Sequence, residues 1–189
     1  PPPAGEAPVW PVGAGPKLFS YLPAEHPWFE VIITALNQWE GLSLVYSPRP
    51  PTAPLSPRVK WVNTPVDLAQ AAAQTTVALT VAPTTTAHFL LQGRPVLVPP
   101  QQLEQFLYAR RVGEGGAGLV LRPDQPATPS AIVEALQRLS QPDSTFTQAA
   151  QAFAINHPQP YTALEKLLAT LGQLIPPTTT VPRAQNSVL

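Results

Sequence analysis

The chain has 189 residues, enough for one domain with a sizeable core or for one half of a two-domain enzyme. Its formal net charge is zero and only 12% of its residues are charged, so neither a basic nucleic-acid face nor an acidic tail is written into it. It has no Cys, which excludes disulfides, thiolate chemistry and Cys-ligated metals.

Residues 1–16 (PPPAGEAPVWPVGAGP) carry Pro and Gly without periodicity and read as an extended linker. Gly13 and Gly15 fit either a plain linker turn or a phosphate-binding turn ahead of a strand. KLFSYL at 17–22 is enriched in apolar and aromatic residues and predicts a strand. From Pro27 to Gln38, Phe29, Ile32, Ile33 and Leu36 recur at helical spacing, and Gly41 ends the helix. Strands follow at 42–46 and 59–62, separated by a Pro-rich loop at 48–57. A short helix at 67–73 has Asp67 near its start, where a carboxylate suits the macrodipole.

The stretch 77–112 alternates most clearly. An apolar run from Val77 to Ala82 predicts a strand. Thr84, Thr85 and Thr86 then open a helix that stops at Gly93. A strand at 95–98 breaks at Pro99-Pro100, a helix runs over 102–114, and a last strand covers 118–121. Beyond it only helices are predicted, at 129–140, 146–155 and 161–174, before a loose tail at 176–189. Six strands alternating with helices predict an α/β fold: a doubly wound, Rossmann-like parallel sheet with helices on both faces and trailing helices at its C-terminal end.

Ligands of open α/β sheets bind outside the carboxyl ends of the strands. Two features fall there. The helix start at 84–86 offers three hydroxyls and unpaired N–H groups, a ready anion site. The pair Glu104-Gln105 opens the helix that follows the next strand. Helix capping would need only one of the three threonines, and an acidic residue also suits a helix start without any ligand.

The string GRPVLVPPQQLEQFLYARRVGEGGAGLVL carries a resemblance. Gly93, Pro95, Pro99, Glu104-Gln105, Ala109, Val112 and Gly116-Ala117-Gly118 follow the pattern of the C-terminal, donor-binding half of GT-B glycosyltransferases of the UDP-glycosyltransferase type. The likeness extends more weakly over about 17–175. It implies a nucleotide-sugar-binding domain over those residues, with 1–16 as the linker from an N-terminal acceptor domain. Glu104 and Gln105 would contact the donor sugar, and Thr84, Thr85 and Thr86 the diphosphate. His88 stands where relatives keep a ribose-binding Glu, and Asn63 to Val66 lies in the loop that covers the nucleobase. Trp61, near that loop, could stack on a base, but it alternates with Val59 and reads equally as packed; His26, in the loop after the first strand and facing the expected cleft, reads as a surface residue. Arg110 and Arg111 could reach a phosphate but read rather as a solvated helix face, and His157, between helices, carries no site signal.

The chain also departs from the pattern. Where relatives have His-Gly-Gly-x-Gly-Thr-Thr, it has Thr80, Val81, Ala82, Pro83, Thr84, Thr85 and Thr86. The last two hydroxyls are kept, and the glycines that let a backbone approach a diphosphate are absent. Two readings follow. In one, this is the donor half of an enzyme moving a sugar from a UDP- or other NDP-sugar to a hydroxyl acceptor. In the other, it is a degenerate, non-catalytic domain serving as an interaction or regulatory module. The resemblance implies no metal and no cofactor, with the nucleotide-sugar as substrate. The chain holds no nucleophile–base pair, so the acceptor-activating base would come from the N-terminal domain, in the same or a partner chain. No apolar run reaches ~18 residues and no signal peptide is visible, so no membrane span and a cytoplasmic location are expected. The lack of any Met, even at position 1, fits an excised domain or a processed product.

Overall fold

A computed structural model describes residues 5–122, 124–125 and 127–157. The predicted helix at 161–174 and the tail at 176–189 lie outside the described residues.

Six parallel strands form one sheet: β1 (Lys17–Tyr21), β2 (Leu42–Tyr46), β3 (Val59–Val62), β4 (Val77–Thr80), β5 (Val96–Val98) and β6 (Gly118–Val120). Their spatial order is β3-β2-β1-β4-β5-β6. The chain therefore builds outward from β1 in one direction, returns, and builds outward from β4 in the other. β1 and β4 pair from Leu18↔Val77 to Tyr21↔Thr80, and the direction reverses between them. That reversal point is where doubly wound sheets open a crevice.

The two-residue alternation of the strands sorts side chains to two faces. Leu18, Leu22, Val45, Val77 and Leu79 pack on one face, under α1 (Phe29–Gln38) and α5 (Pro129–Leu139). Phe19, Leu44, Ala78, Val96 and Val98 pack on the other. That second face lies under α2 (Leu68–Gln74), α3 (Pro83–Leu91), α4 (Leu103–Glu114) and α6 (Thr145–Asn156). β1 and β4 are apolar or small at nearly every position because both of their faces are covered.

No helix joins β2 to β3. The Pro-rich loop between them is stitched to α1 instead. Glu30 accepts from Thr52 N at 3.0 Å and Ala53 N at 3.4 Å; Asn37 accepts from Ser56 N at 2.8 Å and donates to Pro54 O at 2.9 Å. The Thr52 bond is the main reason the Glu30 carboxyl sits below its usual range. Ala53 and Leu55 pack beside α1 and stand in for the absent helix.

Geometry requires glycine at Gly93 and at Gly118. Gly93 takes φ +68° to end α3 with a left-handed residue, and its N–H bonds Leu90 O at 2.9 Å. Gly118 lets β6 lie against β5, since any Cβ there would meet the Val96 carbonyl and Val112 Cγ1.

The chain ahead of β1 is not free. Glu6 N donates to Pro65 O and Asp67 N donates to Glu6 O, both at 2.8 Å, so Glu6 bridges Val66 as a one-residue strand. Trp10 Nε1 donates to Gln74 Oε1 at 2.9 Å, and the Lys17 ammonium lies 5.4 Å from the indole. This segment therefore runs along α2 from the carboxyl edge of the sheet to its amino edge. Gly13 and Gly15 fall beside Leu42 and Glu40, at the amino edge and away from the crevice, where they serve as a turn.

Candidate functional site

β4 ends at Thr80, and Val81-Ala82 lead directly into α3. Pro83 occupies the first helical position, where its fixed φ suits the helix and its missing N–H costs nothing. Ala82 is therefore the N-cap, so the helix starts one residue earlier than the threonines suggested and none of them caps it. Thr86 N bonds Ala82 O at 2.9 Å. The N–H groups of Thr84 and Thr85 precede the first intrahelical bond and find no acceptor among the described residues. An uncapped helix N-terminus with two open donors thus faces the reversal point of the sheet.

Successive helical residues point about 100° apart, and the three threonines separate accordingly. Thr84 is exposed. Thr85 is buried and lines a cavity of about 130 Å³ with Phe19, Tyr21, Tyr46, Pro65 and Val66. Thr86 is buried on the side facing α4. Only Thr84 and Thr85 can therefore reach one ligand at the carboxyl edge.

The walls of the Thr85 cavity include a pair that the sequence reading missed. Tyr21 and Tyr46 end β1 and β2, face the same side, and stack with centroids 5.1 Å apart and planes 19° from parallel. Val66 completes the cavity from the loop after β3. Glu6 occupies the carbonyl of Pro65 and the N–H of Asp67, so by alternation Val66 turns its own N–H and C=O to the other side. Asn63, in the same loop, is exposed. Asp67 caps α2, accepting from Ala69 N at 2.9 Å and Gln70 N at 3.1 Å. Its carboxyl is held low by the bonds to Gln70 first, with a smaller contribution from the nearby His88. His88 lies a turn into α3 with its ring edge-on to Phe89 and its Nε2 buried without a partner. It is not in the wall of the Thr85 cavity.

The Glu104-Gln105 pair opens α4, but the two residues do different things. Gln105 folds back, and its Oε1 accepts from Gln101 N at 2.8 Å, closing the start of the helix. Glu104 stays exposed. Beside this helix start, a second cavity of about 320 Å³ lies between the turns after β1 and β5, lined by His26, Trp28, Pro100, Gln101 and Phe106. His26, which the sequence left as a surface residue, is buried: Nε2 meets Pro99 O at 2.9 Å and Nδ1 accepts from Trp28 N at 3.1 Å.

Cations near the carboxyl edge are already paired. Arg49 meets Glu25, and Arg122 meets Asp124 at 2.6 Å. Arg110 pairs with Glu114 along α4 at 2.7 Å. Trp61 donates its indole N–H to Ser47 O at 3.0 Å, and His157 stacks on Phe153. No group of three potential metal ligands occurs among the described residues. No described helix is long and apolar enough to cross a membrane.

The sequence matches no family model and no curated protein. The fold, in contrast, is shared with solved glycosyltransferases. The spinosyn forosaminyltransferase SpnP aligns over 84% of this chain and 43% of its own, with a TM-score of 0.69 and 18% identity. The glycosyltransferase VinC, solved in complex with DTDP, aligns over 85% of this chain and 42% of its own, with a TM-score of 0.70 and 19% identity. The calicheamicin glycosyltransferase CalG4 gives a TM-score of 0.67 and 24% identity over 88% of this chain and 44% of its own. The chain thus spans less than half the length of these proteins. Its fold is the one the sequence resemblance implied, the C-terminal half of a GT-B glycosyltransferase.

Proposed function

We infer that this chain is the donor-holding half of a glycosyltransferase that moves a sugar from a UDP- or other NDP-sugar to a hydroxyl acceptor. The observation that carries this reading is the start of α3. Its open Thr84 and Thr85 N–H groups stand beside the Tyr21–Tyr46–Val66 cavity on one side, and Glu104 opens the next helix on the other.

Each part has a task in that reaction. The α3 N-terminus, with about half a positive charge from its aligned peptides, takes the diphosphate and stabilises it as it leaves. The Tyr21–Tyr46 edge packs the nucleoside, and the Val66 N–H and C=O offer one donor and one acceptor to the base. Glu104 accepts from hydroxyls of the donor sugar. The acceptor-activating base belongs to an N-terminal domain, in the same or a partner chain. The thymidine diphosphate found with related folds supports a pyrimidine diphosphate as the common element.

Two observations favour the second reading, a non-catalytic relative kept for interaction or regulation. The phosphate loop has no glycine, and Arg49 and Arg122 are each engaged by a carboxylate. The readings separate in a heteronuclear NMR titration with UDP and dTDP up to about 10 mM, some ten times a dissociation constant near 1 mM. The donor reading predicts saturable shifts at the Thr84, Thr85 and Val66 amides. Silence at all three sinks it.

A further inference from the structure

The segment ahead of β1 reaches the loop after β3 through main-chain atoms alone. Glu6 N donates to Pro65 O and accepts, through its own carbonyl, from Asp67 N, both at 2.8 Å. Among the described residues no other main-chain hydrogen bond holds residues 63–66. Asn63, Thr64 and Pro65 are exposed, so packing does little to fix them. The Glu6 side chain is exposed as well. Gly5 lies flat against the same peptide: a Cβ there would run into Pro65 O and the Val66 carbonyl carbon, so no side chain fits while the two segments are joined. Further along, Trp10 packs on the core face that also carries Tyr21, Tyr46 and Val66. Its bond to Gln74 and the Lys17 ammonium over its ring fasten it at the far end of α2. Residues 5–10 therefore form a strap seated at both ends of that helix.

The strap takes up Pro65 O and Asp67 N, and by alternation this leaves the Val66 N–H and C=O turned the other way, with Val66 in the wall of the Thr85 cavity. A loop that has to be ordered when a ligand arrives weakens binding by the conformational entropy it loses, and a loop held beforehand does not. We propose that the Gly5–Trp10 strap is a positioning element of the donor site: by bonding Pro65 and Asp67 it holds the Val66 N–H and C=O ready for a nucleobase, and donor affinity depends on its being seated. Glu6 is a positioning residue that acts through its main chain, and Gly5 is the residue that lets the strap close. This inference rests on the donor reading of the Tyr21–Tyr46–Val66 cavity.

Three variants of the full chain separate main chain from side chain. Glu6→Pro deletes the N–H that Pro65 O accepts. Gly5→Val drives a branched side chain into the Pro65–Val66 backbone. Glu6→Ala changes only an exposed side chain and keeps both bonds. Amide hydrogen exchange without ligand reads the loop, and an NMR titration with UDP reads the site. Glu6→Pro and Gly5→Val should each speed exchange at the Asp67 amide by roughly tenfold or more, with Leu79 and Leu97 in the sheet exchanging as in the native chain. Both should weaken UDP by roughly tenfold. Glu6→Ala should keep both readouts within about twofold of native. Native exchange at Asp67 in both strap variants, quickening that spreads to Leu79 and Leu97, UDP affinity unchanged with the strap released, or the same losses in Glu6→Ala would each overturn the inference and leave the donor reading standing. Silence of the native chain toward UDP would sink the donor reading, and this inference with it.

Discussion

The His26 imidazole holds the Pro99 carbonyl at 2.9 Å, and this contact ties the turn after β1 to the turn after β5. β4 lies between those strands, so the contact passes over its carboxyl end, beside the crevice. Trp28 N donates to Nδ1, which places the ring proton on Nε2 as the donor to Pro99. Burial disfavours the charged ring and lowers its pKa, an effect only partly offset by the Pro99 carbonyl.

The sign of the resulting pH dependence is fixed. His26 titrates below its unfolded value of 6.5 in the folded chain. As pH falls through 6.5 the unfolded chain takes up a proton that the folded chain refuses, so stability declines. Above that pH the group contributes no slope. Urea unfolding at pH 8 and at pH 5 should show a larger loss for the native chain than for His26→Gln, in which this titration is absent. Equal losses would show that the His26 environment is not dry.

Tyr108→Phe should remove the donor to Val81 O and leave that carbonyl unpaired. The expected loss is about 1–3 kcal/mol. For a chain of this size that is roughly 2–4 °C of Tm per kcal/mol. Since Val81 adjoins the N-cap of α3, hydrogen exchange at Thr84 and Thr85 should quicken in the same variant. A variant with unchanged Tm and exchange would mean that the phenol does not hold the helix start.

Gly113, near the end of α4, and Gly118, at the start of β6, should answer in opposite directions. Ala at Gly118 would push a methyl into the Val96 carbonyl and Val112, costing about 1–3 kcal/mol or more. Ala at Gly113, near the end of α4, meets only Val120 Cγ2 at an ordinary 3.5 Å and should stabilise by up to about 0.5–1 kcal/mol. Thermal unfolding of the two variants checks the β5–β6 packing. Equal behaviour of the pair would contradict it.

Much of the fold was legible because its signals are local. Val77–Leu79 and Val96–Val98 are short apolar runs bounded by Pro or Gly, and Ile32, Ile33 and Leu36 keep a helical period. The α3 start was misplaced by one residue because a threonine cap and a first-position Pro compete, and Pro83 has the backbone already set. What escaped reading is what long-range pairing decides. His26 is buried by a carbonyl 73 residues away, and a lone His in a loop carries no mark of that. Glu6 pins the Val66 loop through main-chain atoms alone, which any side chain would allow. Tyr21 and Tyr46 could have been found, since both close strands that pair in register. Gln105 shows the reverse case: an apparent site residue whose amide oxygen is used to close a helix.

The most direct test of the donor reading is a two-by-two titration of Thr85→Val and Glu104→Gln with UDP and UDP-glucose. On the donor reading an N-terminal domain would supply the opposite wall of the crevice, so the native chain alone should bind UDP with Kd on the order of 1 mM, about −4 kcal/mol. A hydrogen bond to a charged group contributes about 1.5–3 kcal/mol, so Thr85→Val should weaken both ligands by roughly tenfold or more. Glu104→Gln should leave UDP unchanged and weaken only UDP-glucose. If neither substitution moves either affinity, the crevice beside α3 is not a donor site and the chain is a non-catalytic module.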